Sequence, residues 1–307
     1  MSQHPRTMRS IYMEWAKLRS TARFNLATSG IISVPTAEFP RVDEALAITS
    51  PGGYGYEPLQ ERVAAHAGVS VDCVVAAAGT SMANHLAMAA VLNPGDEVLV
   101  EQPAYGPLLD VAEYLGARVK RIARRFDNDF VLDPAELEAV ITNETRLVVL
   151  TNMHNPSGAL IPGETLRVLG EIALLRGVHV LVDEVYLEML FDLEVPWSFP
   201  IGQRLAWNDE NPFIVTTSLT KAYGLSGLRC GWIIAAPKLA RRIWLLDDLF
   251  AANAAHPAEQ LSVVAFEHLS TFRERARQLL TANRPLLDAF LDSRADLECV
   301  RPPAGTV

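Results

Sequence analysis

The chain has 307 residues, which at roughly 100–200 residues per domain allows about two domains and a large buried core. With 50% hydrophobic and 21% charged residues it has the balance of a folded soluble protein, and 27 basic against 36 acidic side chains leave a net charge of −9, which excludes a broad phosphate-tracking surface for nucleic acid. No run reaches about 18 uninterrupted apolar residues, so no membrane span is expected.

The elements follow in chain order. Residues 1–50 hold an amphipathic stretch around Ile11–Leu18, and then LATSGIISVP at 26–35, whose Gly, Ser and Pro predict an arm rather than a core element. The N-terminus has no apolar h-region, so no secretory signal is expected. SPGGYG at 50–55 opens the main body. Seven β-branched or apolar runs then predict strands at 74–78, 97–100, 117–122, 146–152, 178–185, 213–218 and 231–236. Between most of them, apolar residues recur at i, i+3 and i+4, as in ETLRVLGEIALLRG at 164–177, where Gly177 fits a helix C-cap. After Pro237 the pattern is helical almost to Leu291, with a break expected near His256 and Pro257. Alternating strands and helices predict an α/β fold: a mainly parallel seven-stranded sheet with helices on both faces. Cys73, Cys230 and Cys299 lie far apart without a CxxC pair, which argues against a disulfide framework or a metal site and points to a reducing, cytoplasmic setting.

In open α/β sheets ligands bind beyond the carboxyl ends of the strands. Polar groups gather there: Gly79-Thr80-Ser81, Tyr105, Asn155, Asp183 to Tyr186, and Ser218 to Lys221. A lysine after a strand is usually a solvated loop residue. In SLTKAYGLSGLRCGW at 218–232, however, Lys221 lies between apolar strands, with Ser218 and Arg229 as anion donors and glycines that permit close backbone approach. That context suits a Schiff-base lysine beside a phosphate. Asp183 ends a mostly apolar strand, where an acid is commonly a helix cap. A desolvated carboxylate there also calls for a cation, such as a protonated pyridine nitrogen. Tyr186, three residues on, reaches the same side. Asn155-Pro156 is by itself an ordinary turn signal. Thr80 and Ser81 stand at a helix start, where they serve equally as N-caps or, with the helix dipole, as a phosphate cup. The segment lacks GxGxxG and a Walker lysine, which counts against a dinucleotide or a nucleoside triphosphate. Tyr105 is either ordinary packing or a ring that stacks on a planar ligand.

From about residue 24 to the end, these segments together resemble the class I/II aminotransferases, fold-type I enzymes that use pyridoxal 5′-phosphate (PLP). The resemblance implies that Lys221 is the Schiff-base lysine, that Ser218 and Arg229 bind its phosphate, and that Thr80 and Ser81 form the phosphate-cupping helix start. Asp183 matches the carboxylate paired with the pyridine nitrogen, Tyr186 and Asn155 match the partners of the ring hydroxyl, and Tyr105 matches the aromatic stacked on the ring. Tyr54, with Tyr56 as a close rival, matches the tyrosine that reaches the phosphate of the partner subunit in a homodimer. Gly30 corresponds to the glycine whose backbone lies near the substrate carboxylate. Family members continue past the point matching Pro303-Ala304-Gly305 into a small domain carrying an arginine for that carboxylate. The expectation is therefore an arm or small-domain segment at 1–48, a large PLP-binding domain at 49–290, and the start of an incomplete C-terminal small domain at 291–307.

The implied reaction is transfer of an amino group between an amino acid and a 2-oxo acid. The same cofactor residues would serve a β-lyase or a biosynthetic cyclase, or a PLP-binding protein without turnover.

Overall fold

The computed structural model describes residues 9–19, 21–24, 29–42, 47–191, 208–303 and 305. Its centre is a seven-stranded sheet: β1 (Val74–Ala78), β2 (Glu97–Gln102), β3 (Arg118–Ala123), β4 (Thr145–Thr151), β5 (His179–Asp183), β6 (Phe213–Ser218) and β7 (Cys230–Ile234). Their spatial order is β1-β7-β6-β5-β4-β2-β3, and only β7 runs antiparallel to its neighbours. All seven expected strands form, each within a few residues of its predicted bounds. The antiparallel setting of β7 was not legible, because a strand's direction is fixed by its connection and not by its composition.

The strands read as continuous apolar runs because both faces are covered. On one face, Leu86 and Met88 of α3 (Thr80–Val91), Leu108 of α4 (Gly106–Tyr114) and Ile243 of α7 (Pro237–Asp247) pack on Val75, Val100, Leu147, Leu181, Ile214 and Ile233. On the other, Leu137 of α5 (Pro134–Val140) and Leu166, Leu169 and Ile172 of α6 (Gly163–Arg176) meet the alternate side chains Leu99, Val148, Val180 and Phe213. Leu59 and Val63 of α2 (Glu57–Ala67), Ala265 of α8 (His256–Glu267) and Phe272 of α9 (Leu269–Asp292) cover Val74, Val215, Trp232 and Ile234. Each buried Leu, Ile, Val or Phe contributes about 1.5–3 kcal/mol. Gly177 closes α6 in the left-handed conformation that a glycine adopts without a Cβ penalty.

Two boundaries differ from expectation. The strand predicted to reach residue 185 stops at Asp183, because Oδ1 of Asp183 accepts from the backbone N–H of Val185 and turns the chain. The break expected near His256-Pro257 falls earlier: α7 ends at Asp247, α8 starts at His256, and Pro257 occupies its first turn, where proline is tolerated. A further break at His268 separates α8 from α9.

Helix α3 leaves β1 at one edge and must return the chain to β2 near the other. It lies across β4, β5, β6 and β7 on the way, which brings its first turns over the carboxyl ends of β4, β5 and β6 and the amino end of β7. The amphipathic stretch forms α1 (Ile11–Leu18), capped by the Ser10 hydroxyl, and packs against α4. Among the described residues no helix is long and apolar enough to cross a membrane.

Candidate active site

A cleft of about 370 Å³ opens at the carboxyl ends of the parallel strands. Thr80, Ser81, Tyr105, Asn155, Asp183, Tyr186, Ser218, Lys221 and Arg229 all line it. Tyr54 and Gly30 do not. Tyr54 lies in a separate cleft beside Trp244, its hydroxyl donating to Oδ2 of Asp248 at 3.0 Å and its ring beneath the Arg241 guanidinium. Tyr56 packs edge-on against His256. Gly30 stands against the stem of Lys221.

Asp183 is 4% exposed and sits at the floor, where β5 ends. Its Oδ2 accepts from Asn84 Nδ2 at 2.8 Å, and Asn84 Oδ1 accepts from the Thr216 hydroxyl of β6. Burial pushes the Asp183 carboxyl up to about 6, against the opposing pull of Asn84, the Val185 N–H and Lys221. Burial lowers the Lys221 ammonium below the ordinary lysine value; Asp183 opposes that shift and Arg229 reinforces it. Lys221 Nζ donates to the backbone oxygen of Ser29 at 3.0 Å and to its hydroxyl at 3.1 Å.

At another part of the wall the Thr80 hydroxyl donates to Ser218 Oγ at 2.8 Å, and the guanidinium of Arg229 reaches the carbonyls of Ala78 and Ser226. The approach needs Gly79: a Cβ there would lie 2.3 Å from Nη2 of Arg229. Three hydroxyls, a helix N-terminus and a guanidinium make a donor set for a dianion. Thr220 Oγ1, also on the wall, is buried without a hydrogen-bond partner.

Asn155 is held by a network that begins outside the cleft. Its backbone N–H donates to Thr151 Oγ1, and both the N–H and the hydroxyl of Thr151 donate to Oε1 of Glu101. Glu101 pairs with Arg124 at 2.9 Å, both side chains fully buried. Burial and Arg124 push His154, the neighbour of Asn155, down to about 3, so its ring is neutral and spans Pro103 O and the Ser157 hydroxyl.

Asn84, Ser29 and the Glu101–Thr151 pair escaped the sequence reading. The one available signal was Asn84, a polar residue one turn beyond Thr80 in an otherwise apolar stretch. Tyr12, Met13, Ala16 and Lys17 of α1 supply another wall, with Tyr12 edge-on to Tyr105.

The sequence profile of aminotransferase class I and II matches residues 43–307. The chain is 31% identical over 260 residues to the arginine–pyruvate transaminase AruH of Pseudomonas aeruginosa, covering 82% of this chain and 64% of that protein. It is 30% identical over 305 residues to the capreomycidine synthase of Streptomyces vinaceus, covering 95% of this chain and 76% of that one. Among solved structures, a PLP-dependent aminotransferase from Streptococcus suis superposes with a TM-score of 0.85 at 25% identity, covering 96% of this chain and 80% of that one. The PLP-dependent cyclase OrfR gives the same TM-score and identity, covering all of this chain and 81% of that one. The fold, the extent of the match and these relatives agree: the chain belongs to the class I and II aminotransferase family.

Proposed function

We propose that the protein is a PLP-dependent aminotransferase that moves an amino group between an amino acid and a 2-oxo acid. The observation that carries this reading is the convergence of strand-end residues from β1, β2, β4, β5 and β6 on one cleft. The cleft suits the cofactor's chemistry. It has a buried carboxylate for a cationic ring nitrogen, a cradle of hydroxyls and a guanidinium for a phosphate, and the orphaned Thr220 hydroxyl as a further donor. When bound, the cofactor supplies an aldehyde that bonds amines and a cationic ring that draws electrons from the substrate.

The chain's own residues divide the remaining work. Asp183 keeps the ring nitrogen protonated, and a carboxylate pushed up by burial is stabilised by such a cation. Tyr186 and Asn155 orient the ring hydroxyl, and Tyr105 covers the ring face. Ser218, Arg229, Thr80 and Ser81 fix the phosphate. Lys221 would hold the cofactor through Nζ, and the same Nζ would be the group that takes and returns the substrate Cα proton. The fall of its ammonium below the ordinary lysine value enlarges the fraction present as the free base. Gly30, against the Lys221 stem, would be the backbone nearest the substrate carboxylate. A homodimer, with Tyr54 or Tyr56 meeting the partner subunit's phosphate, completes the site, and 49–290 is the cofactor-binding domain. The free cysteines fit a cytoplasmic setting.

A second reading is a biosynthetic cyclase, favoured by the capreomycidine synthase and the OrfR cyclase among the relatives. One experiment separates the two. The protein is loaded with PLP and mixed with a single amino acid without an acceptor. Transamination leaves pyridoxamine phosphate and an equal amount of 2-oxo acid, whereas a cyclase regenerates PLP and releases a cyclised product. Borohydride reduction before mixing fixes the cofactor to the peptide containing Lys221; a label on any other peptide overturns the assignment.

A further inference from the structure

Ser29 lies 192 residues from Lys221, yet both of its oxygens accept from the lysine amine: the backbone oxygen at 3.0 Å and Oγ at 3.1 Å. The same Oγ stands 2.7 Å from the hydroxyl of Tyr186. We infer that the Ser29 hydroxyl is a positioning residue that aims the Lys221 amine and transmits the state of Tyr186 to it. The inference rests on Lys221 being the reactive amine, as proposed above.

Serine has one hydrogen to give. Its Oγ accepts from Lys221 Nζ, either hydroxyl of the Ser29–Tyr186 contact can donate, and the inferred arrangement gives the serine hydrogen to Tyr186, so that the donors run Lys221 to Ser29 to Tyr186. Two consequences follow. A neutral Lys221 amine has two N–H bonds, and both have an acceptor on Ser29, which leaves the lone pair as the position not committed to the arm. Tyr186 keeps its own hydrogen for a partner in the cleft, and by accepting from Ser29 it makes Oγ a better acceptor for the lysine.

The backbone holds this contact in place. Gly30 adopts φ +107°, and a Cβ there would come within 2.9 Å of Lys221 Cδ and 3.3 Å of Lys221 Cα. The N–H of Ile31 donates to the carbonyl of Lys221 at 2.9 Å, and that of Val34 to the carbonyl of Gly224 at 3.0 Å. The arm therefore runs along the lysine loop and sets Ser29 at the amine.

The test uses cofactor-free protein. Acetylation of Lys221 by acetic anhydride is followed against pH by peptide mass spectrometry in the parent, Ser29→Ala, Tyr186→Phe and the double variant. An acceptor stabilises the ammonium form, so Ser29→Ala lowers the midpoint by roughly half to one pH unit. Tyr186→Phe produces a smaller drop, and the double variant titrates like Ser29→Ala alone, because Tyr186 acts through Ser29. An unchanged midpoint in Ser29→Ala, or strictly additive shifts, overturns the inference. In the PLP-loaded enzyme, Ser29→Ala lowers kcat roughly ten-fold with KM little changed; a rise in KM at constant kcat also overturns it. Borohydride mapping of the parent tests the site assignment separately, so failure of that assignment and failure of the Ser29 role are told apart.

Discussion

The side-chain amide of Asn84, on the second turn of α3, donates to Oδ2 of Asp183 at 2.8 Å across 99 residues of sequence. Asn84 is in turn fixed by Thr216 of β6, so the carboxylate is aimed by a helix and a strand that meet only because α3 crosses the sheet. It is buried without a neighbouring cation close enough to return it to its ordinary acidity.

Asp183→Asn separates folding from function. The folded carboxyl titrates at about 6 against an ordinary 3.8, so its burial costs stability at any pH above both values. The amide removes that cost but has one oxygen for the two donors on Asp183, so the cofactor-free protein at pH 7.5 gains about 1–2 kcal/mol, read as a higher urea midpoint. Turnover of the PLP-loaded variant falls by at least about a hundred-fold, as expected for loss of a buried charge partner. Unchanged stability with full activity would mean that the carboxylate bears no such load.

Gly79→Ala places a methyl 2.3 Å from Nη2 of Arg229 and at a φ of +77°. The guanidinium must swing away from the hydroxyl cradle. A charge-assisted contact of this kind contributes about 1.5–3 kcal/mol, so PLP affinity drops roughly 10- to 100-fold by fluorescence titration. Affinity for pyridoxal, which lacks the phosphate, changes far less.

Glu101→Gln breaks the pair with Arg124 while leaving an acceptor for Thr151. The buried guanidinium loses its counter-charge, one of its nitrogens already having no hydrogen-bond partner. The expected loss is about 3–5 kcal/mol in denaturant unfolding. The loss exceeds what removal of an exposed pair such as Arg167–Glu164 produces by several-fold.

Behind Tyr186, Glu188 accepts from Tyr223 and pairs with His66 at 2.9 Å. Burial pulls His66 down, but Glu188 outweighs it and the net shift is upward; burial raises Glu188, but His66 and Tyr223 outweigh it and the net shift is downward. The histidine contribution is thus complete below its unfolded value near 6.5 and is lost as pH rises through the higher folded value. The glutamate contribution is complete above its unfolded value near 4.3 and is lost as pH falls through the lower folded one. Urea midpoints measured from pH 5 to 8.5 should decline on the alkaline side in the parent. In Glu188→Gln that decline flattens.

The sequence made the strands visible because two-sided burial writes itself as Val, Ile, Leu and Ala runs, and it made Asp183 and Lys221 visible because a charge at the end of such a run is conspicuous. It hid Asn84, Ser29 and Glu101. Their partners stand on elements whose adjacency depends on strand order, and a lone polar residue in a helix, an arm or a strand carries no mark of the element it will meet. Tyr54 was conspicuous for the opposite reason: an aromatic in a glycine-rich break draws notice, yet within this chain it faces Asp248 and not the cleft.

The reversal of β7 makes the span between Lys221 and Arg229 a closed loop. Ser218 is in register with Gly231, and the N–H of Leu219 donates to the carbonyl of Cys230, so both ends are pinned by the same ladder. The covalent anchor and the anion anchor therefore share one rigid frame, and a displacement of either carries the other with it. Divergence toward a new substrate has little room to act through that frame. It has the α1 wall instead, whose Tyr12, Met13 and Ala16 can change without altering the spacing on which the shared chemistry depends, whereas the 29–34 arm is tied to the lysine loop.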